Sequence, residues 1–182
     1  MPMSVRLATA EDRPAVLALL QSAQQDAVPE DQRGEQGFVQ GEWDEDKLAA
    51  FSGGPGIFLA EDKDKLAGVL LTSEGGGPLP EPARRTVELT RKLDGPVLYY
   101  GPVVVAPKYR GKGVLRLLLS GMALMLGDRY PSAALFVENS NQRSLKVHRA
   151  LGMTKHARFT LDDRPYTIFT FTPKEFRPKP AR

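Results

Sequence analysis

The spacing of hydrophobic and polar positions changes from one segment of the chain to the next, which predicts strands and helices interleaved in one α/β or α+β domain. Residues 5–9 are predicted as a first strand, and the helix that follows carries Val16 and Leu20 on its apolar face. Further helices are predicted at DEDKLAAF, RRTVELTRKL, VLRLLLSGM and NQRSLKVHRALG. Further strands are predicted at GIFLAED, KLAGVLLTS, PVLYYGPVVVAP, SAALFVE, TKHARFTL and YTIFTFT.

The strand PVLYYGPVVVAP contains Gly101 and Pro102 in its middle. Proline has no N–H to donate to a strand ladder, so the sequence predicts a bulge or bend at this point. The residues DKDK between the second and third strands predict a hairpin turn, and the stretch EGGGPLPEPARR predicts a loop that leads into a helix.

The chain has 182 residues, no cysteine, and 25 Lys and Arg against 22 Asp and Glu. This length favours a single domain, assigned to residues 1–173, with a basic tail at 174–182 that is expected to fray. The lack of cysteine excludes disulfides, thiolate metal sites and a thiol nucleophile, and no metal is expected. With no signal-peptide pattern and no apolar run of membrane-spanning length, we expect a cytoplasmic protein that binds neither membrane nor nucleic acid.

The segment KYRGKG leads from Pro107, where a strand ends, into a helix with a buried leucine face. The free N–H groups of a first helical turn attract anions, and Gly111 and Gly113 would let a ligand approach the backbone closely. Phosphate or pyrophosphate would suit this turn, although the two glycines could equally serve only a tight connection. The segment is neither a Walker A loop nor a complete dinucleotide fingerprint.

The stretch VAPKYRGKGVLRLLL resembles the cofactor motif of the GNAT family of N-acetyltransferases, in which V-x-P is followed by R/Q-x-x-G-x-G/A at the start of a helix. The resemblance implies a mixed, mostly antiparallel sheet of about six to seven strands flanked by helices. It also implies that the turn binds the pyrophosphate of acetyl-CoA, through Arg110, Gly111, Lys112, Gly113 and Val114. The chain departs from the motif at Leu115, whose side chain could crowd the pyrophosphate or turn into the core.

A second stretch, NSNQRSLKVHRALGM, resembles the family's later motif at the expected distance downstream. Asn141, Ser144 and His148 fall on one stripe of a helix that ends at Gly152, and the resemblance implies that this stripe faces the pantetheine. A helix cap, a solvated serine and a surface histidine would account for the same residues. Many family members carry at the position of His148 a tyrosine that protonates the departing thiolate. We therefore predict that any general-acid role of His148 fades as the pH rises.

The resemblance also implies that the strand YYGPVVVAP splays away from LFVEN, so that the acetyl and pantetheine groups fit between them. A bulge leaves backbone N–H groups unpaired, and the amides of Val103 and Val105 are the expected donors. A base must take the proton of the attacking amine, and Glu138 is the leading candidate. Further candidates are Glu61, Glu74, Tyr99 and Tyr100. Since the chain has no cysteine, direct attack on the thioester is expected.

The acceptor would be bound by the variable stretches 28–46 and 74–85, in which Phe38 and Trp43 cap the site or pack in the core. The acidic run in the first stretch is interpreted as a solvated helix face. The family resemblance implies transfer of acetyl from acetyl-CoA to a primary amine of a small molecule or a protein. The alternative is a catalytically silent acyl-CoA-binding or partner-binding module on the same fold. A homodimer formed through an edge strand near the C-terminus is a further possibility that the sequence does not decide.

Overall fold

The computed structural model describes residues 2–180 and contains one seven-stranded sheet of order β1-β2-β3-β4-β5-β7-β6. Only β4 and β5 run parallel, and every other neighbouring pair is antiparallel. The predicted mixed, mostly antiparallel sheet is confirmed. The strands are β1 (Ser4–Leu7), β2 (Gly56–Asp62), β3 (Lys65–Ser73), β4 (Val97–Val105), β5 (Ser132–Glu138), β6 (Thr154–Leu161) and β7 (Arg164–Phe171).

Helices pack on both faces of this sheet because successive strand residues point to opposite sides. Phe58 belongs to the core cluster under α5, whereas its neighbour Leu59 belongs to the cluster under α1 and α3. The helices are α1 (Arg13–Ser22), α2 (Arg33–Gln36), α3 (Glu45–Ser52), α4 (Glu81–Leu89), α5 (Val114–Leu126) and α6 (Gln142–Ala150). None of these described helices is both long enough and apolar enough to cross a membrane.

The predicted irregularity in β4 is a β-bulge. Leu70 of β3 lies opposite Val103, but Thr72 lies opposite Tyr100, so β4 has one residue more than its partner across this interval. Beyond the bulge β4 and β5 separate, because their parallel ladder pairs only Val97–Tyr99 with residues 132–134. The splayed strand pair that the family resemblance implies is therefore present.

The end of the described chain packs against α5. Pro173–Phe176 forms a 3-10 turn, and Phe176 is buried in the core cluster under that helix. Arg177 donates from Nε to the carbonyl oxygen of Ala123 at 3.2 Å and pairs with Asp128 at 3.0 Å. The sequence predicts fraying from residue 174, but the apolar ring of Phe176 holds the first residues of this segment against the domain. Residues 181 and 182 lie outside the described part of the chain.

Candidate active site

A cleft of about 360 Å³ opens where β4 and β5 separate. Its walls come from β4, β5 and α6, from the loop that carries Phe38 and Trp43, and from the segment 73–87. The two variable stretches that the sequence assigns to the acceptor thus meet the splayed strands at one cleft. Phe38 and Trp43 both line it and are both buried, so they pack in the core and border the site at once.

The N–H groups of Val103 and Val105 face the side of β4 from which β5 has separated. Ala106 donates its N–H to the carbonyl of Ala67 on the β3 side at 2.8 Å. Backbone N–H groups alternate in direction along a strand. The N–H of Val104 therefore also points towards β3, and the N–H groups of its two neighbours point away from β3. Because β5 pairs with β4 only before the bulge, these two N–H groups are directed to the gap between the strands.

The turn before α5 contains two glycines in a left-handed backbone conformation. Gly111 and Gly113 have φ values of 73° and 76°, in the left-handed region, and a Cβ at either would meet no atom within 4 Å. α5 then begins at Val114, with its first N–H groups directed into the turn. Leu115 packs against the core cluster, so of the two alternatives for its side chain the structure has the inward one.

The guanidinium of Arg110, at the start of this turn, is influenced by a second cation. Burial lowers the pKa of Arg110, and the positive charge of Arg143 lowers it further. Within residues 2–180 neither of them forms an ion pair with a carboxylate. Adjacent cations without a carboxylate, beside a glycine turn and a helix N-terminus, suit a phosphate group. The sequence analysis did not identify Arg143, although it lies in the second family motif.

The ring of His148 is buried and has a polar partner at each nitrogen. Nδ1 lies 2.7 Å from the carbonyl oxygen of Ser144, and Nε2 lies 3.1 Å from the hydroxyl of Tyr100. A carbonyl only accepts, so Nδ1 carries the proton, and Nε2 accepts from Tyr100. Burial lowers the pKa of His148 to about 4, against the opposing effect of its backbone hydrogen bond to Ser144. The imidazole is therefore neutral near pH 7.

Asn141 caps α6 and also contacts the loop that carries Phe38. Its side-chain oxygen accepts from the N–H of Ser144 at 3.2 Å, and its amide nitrogen donates to the carbonyl of Phe38 at 2.8 Å. Asn141, Ser144 and His148 all line the cleft. The helix cap that the sequence left as an alternative thus coexists with a position in the cleft wall.

Glu138 ends β5 inside the cleft with 4% of its surface exposed. Its carboxylate accepts from the side-chain amide of Gln40 and from the hydroxyl of Ser140, the latter at 2.8 Å. Arg164 lies 3.8 Å away on the outer side. A buried, hydrogen-bonded carboxylate at the inner end of a cleft can hold an ammonium group or accept a proton from it.

The remaining candidate bases have other partners. Glu61 is bound to Arg6, and Glu74 is bound to Arg129 and Tyr130; neither carboxylate lines the cleft. The hydroxyl of Tyr99 lies 2.9 Å from that of Thr90. Burial raises the pKa of Tyr100, which favours its neutral form. No group of three or more potential metal-ligating side chains is found in residues 2–180.

The sequence profile described as the Acetyltransferase (GNAT) family matches residues 16–153, and the chain belongs to this family. Its members use acetyl-CoA as the acetyl donor. A search of curated protein sequences gave no match. The cleft, the two strand amides that face it and the basic glycine turn fit the acyl chain and pyrophosphate of this cofactor.

Solved structures share the fold at low sequence identity. The smu.2055 protein of Streptococcus mutans is 21% identical with a TM-score of 0.67, over 93% of this chain and 99% of that one. The yncA protein of Salmonella typhimurium, solved with its cofactor acetyl-CoA, is 17% identical with a TM-score of 0.63, over 100% and 98%. The ribosomal-protein-S18-alanine N-acetyltransferase of Escherichia coli is 16% identical with a TM-score of 0.62, over 93% and 92%.

Proposed function

We propose that this protein transfers the acetyl group of acetyl-CoA to a primary amine by direct attack of the amine on the thioester. One observation carries the proposal: the amides of Val103 and Val105 face a gap between β4 and β5 that also contains the buried carboxylate of Glu138. Hydrogen-bond donors for an acyl oxygen and a proton acceptor for an amine thus share one cleft.

The residues proposed to hold acetyl-CoA divide into three groups. The glycine turn and its cations bind the pyrophosphate: Arg110, Gly111, Lys112, Gly113, Val114 and the backbone of Leu115, with Arg143 beside them. The amides of Val103 and Val105 bind the acetyl and pantetheine carbonyls. The cleft-lining stripe of Asn141, Ser144 and His148 forms the wall beside the pantetheine.

Acetyl-CoA supplies an activated acetyl group, and the side chains of the cleft move the protons. Glu138 accepts the proton that the amine must lose before or during attack. The N–H of Val103 donates to the acetyl oxygen and stabilises the negative charge that develops there. The C–N bond forms, the C–S bond breaks, and the thiolate needs one proton.

We propose that the Tyr100–His148 pair donates the proton that the thiolate needs. In the neutral pair the hydrogen between the two side chains belongs to Tyr100, whose hydroxyl donates to Nε2 of His148. The sequence-based hypothesis of a general acid at His148 thus becomes a hypothesis about both residues. If the His148→Ala variant keeps an unchanged rate at neutral and alkaline pH, this role is excluded.

Release of free thiol from acetyl-CoA, measured with a panel of small amines and lysine-containing peptides, tests the proposal. We expect release that depends on the amine, together with an N-acetyl product identified by its mass. Tight binding of acetyl-CoA without transfer to any amine would contradict it and would instead favour a silent acyl-CoA-binding module.

A further inference from the structure

Among the described residues that line the cleft, only Glu138 and Lys47 have formally charged side chains. The wall around them is apolar. It includes Phe38, Val39, Trp43, Phe51, Leu79 and Val87. The part of the substrate that lies against this wall must therefore bury apolar surface well.

Lys47 is held in a defined position at the cleft. Its ammonium lies 4.3 Å from the centroid of the Trp43 ring, and it donates to the carbonyl of Glu42 at 3.2 Å. A Cβ built on Gly41 would lie only 2.9 Å from its Nζ, so the ammonium rests against the loop backbone. Burial lowers the pKa of Lys47, and Asp44 partly offsets this effect.

The ammonium of Lys47 has hydrogen-bonding capacity left over. An ammonium has three donors, and the carbonyl of Glu42 takes one of them. Asp44 accepts from the backbone N–H of Lys47 at 2.8 Å as the cap of α3, and within residues 2–180 no carboxylate forms an ion pair with the ammonium. A half-buried cation in a cleft wall without an anionic partner is suited to an anionic group on a ligand.

One loop fixes both charges relative to each other. The indole N–H of Trp43 donates to the carbonyl of Gln40 at 3.2 Å, and the side chain of Gln40 donates to Glu138. A continuous series of contacts thus runs from Lys47 through the Trp43 ring to the carboxylate that faces the attacking amine. Such an arrangement can select a substrate that carries both a positive and a negative group.

Building on the proposed acetyl transfer, we propose that the acceptor is a small amino acid with an apolar side chain. Its ammonium lies against Glu138, its carboxylate binds Lys47, and its side chain packs on the apolar wall near Trp43. Lys47 is thus a specificity-determining residue. A polyamine is a poor substrate, because its second cation meets Lys47 in a partly buried setting.

The experiment compares L-phenylalanine with phenethylamine and L-leucine with isoamylamine. In each pair the amine is the same molecule without the carboxylate. In the wild-type protein we expect kcat/KM to be higher for each amino acid than for its amine. In Lys47→Met, KM for the amino acids should rise by about tenfold or more with little change in kcat, as expected for loss of a charge-assisted contact. The amines should be unaffected, which also reports an intact fold, and Lys47→Arg should retain much of the preference.

Lys155→Gln, which removes an exposed lysine on β6, is the matched control. For each of the two pairs, it should leave the ratio of kcat/KM for the amino acid to kcat/KM for the amine unchanged. Equal use of amino acids and amines, a preference for spermidine, or a ratio that does not respond to Lys47→Met would overturn the inference while acetyl transfer to amines stands. If acetyl-CoA binds but neither these amines nor any member of the wider panel of amines and peptides is acetylated, the proposed function fails, and the inference fails with it.

Discussion

The hydroxyl of Tyr100 on β4 lies 3.1 Å from Nε2 of His148 on α6, across the gap between β4 and β5. Both side chains are buried, and the two rings meet edge to face with centroids 5.6 Å apart. A charged imidazole at this position would lose its hydration, and this burial is the main cause of the lowered pKa of His148. Burial therefore keeps His148 neutral, and its unprotonated Nε2 accepts a hydrogen bond from the hydroxyl of Tyr100.

The neutral His148 makes stability depend on pH. Its pKa is about 4 in the folded protein against about 6.5 in an unfolded chain, so the unfolded state binds more protons between these values. The stabilising contribution is complete above pH 6.5 and is lost as the pH falls towards 4. From pH 7.5 to 5.5 we expect the free energy of unfolding to fall by roughly 1 kcal/mol more in the wild type than in His148→Gln.

Urea unfolding of both proteins at the two pH values measures this difference. The comparison with the variant removes the contributions of other titrating groups, which both proteins share. Equal losses in the two proteins would mean that His148 is protonated as easily in the fold as in the unfolded chain.

Replacement of Glu138 by glutamine should separate catalysis from cofactor binding. If the carboxylate accepts the proton of the amine, kcat should fall by about a hundredfold, while the affinity for acetyl-CoA is unchanged. Steady-state kinetics and calorimetry on the same preparation measure the two quantities. Glu74→Gln should leave kcat unchanged, because Glu74 is bound to Arg129 outside the cleft. A normal kcat in Glu138→Gln would remove the proposed base.

A substitution in the glycine turn should destabilise the protein through backbone strain rather than through a steric clash. Gly113 has a φ of 76° and open surroundings, so Gly113→Ala should cost about 1–2 kcal/mol of stability through strain and should weaken acetyl-CoA binding. Gly53 also has open surroundings, but its φ is −90°. Gly53→Ala should therefore be neutral or slightly stabilising in thermal unfolding. Equal effects of the two substitutions would contradict the argument from strain.

Arg143 should contribute to binding of the phosphates and not of the acyl chain. We expect Arg143→Gln to weaken binding of acetyl-CoA by about tenfold and to leave acetyl-pantetheine unaffected, because the guanidinium has a phosphate to pair with only in the first case. Removal of this charge should also relieve repulsion of Arg110 in the free protein. Arg149→Gln, at an exposed position on the same helix, is the control. A similar loss for both ligands would argue against a phosphate contact.

Sequence patterns predict most of the fold here because its signals are local. The bulge follows from Pro102 within an apolar strand, and the start of α5 follows from two glycines before a leucine face. The glycine turn before α5 and the stripe on α6 each lie within one continuous motif, so their residues could be named together.

The contacts that complete the site join distant segments and leave no local signal. Gln40 contacts Glu138 across 98 positions, and Trp43 lines the same cleft from the loop that also carries Gln40. The sequence predicts a polar, acidic loop there but not which of its side chains turn inwards. Likewise the sequence predicts that Tyr100 lies in a strand, but only the tertiary fold brings its hydroxyl to His148.

Calorimetric titration with acetyl-CoA and with acetyl-pantetheine, which lacks the pyrophosphate and the nucleotide, tests the central claim most directly. We expect measurable binding of acetyl-CoA that is much tighter than that of acetyl-pantetheine and that weakens in Gly113→Ala. Equal affinity for the two ligands, or no binding of acetyl-CoA, would contradict the assignment of residues 110–114 to the pyrophosphate and of the cleft to acetyl transfer.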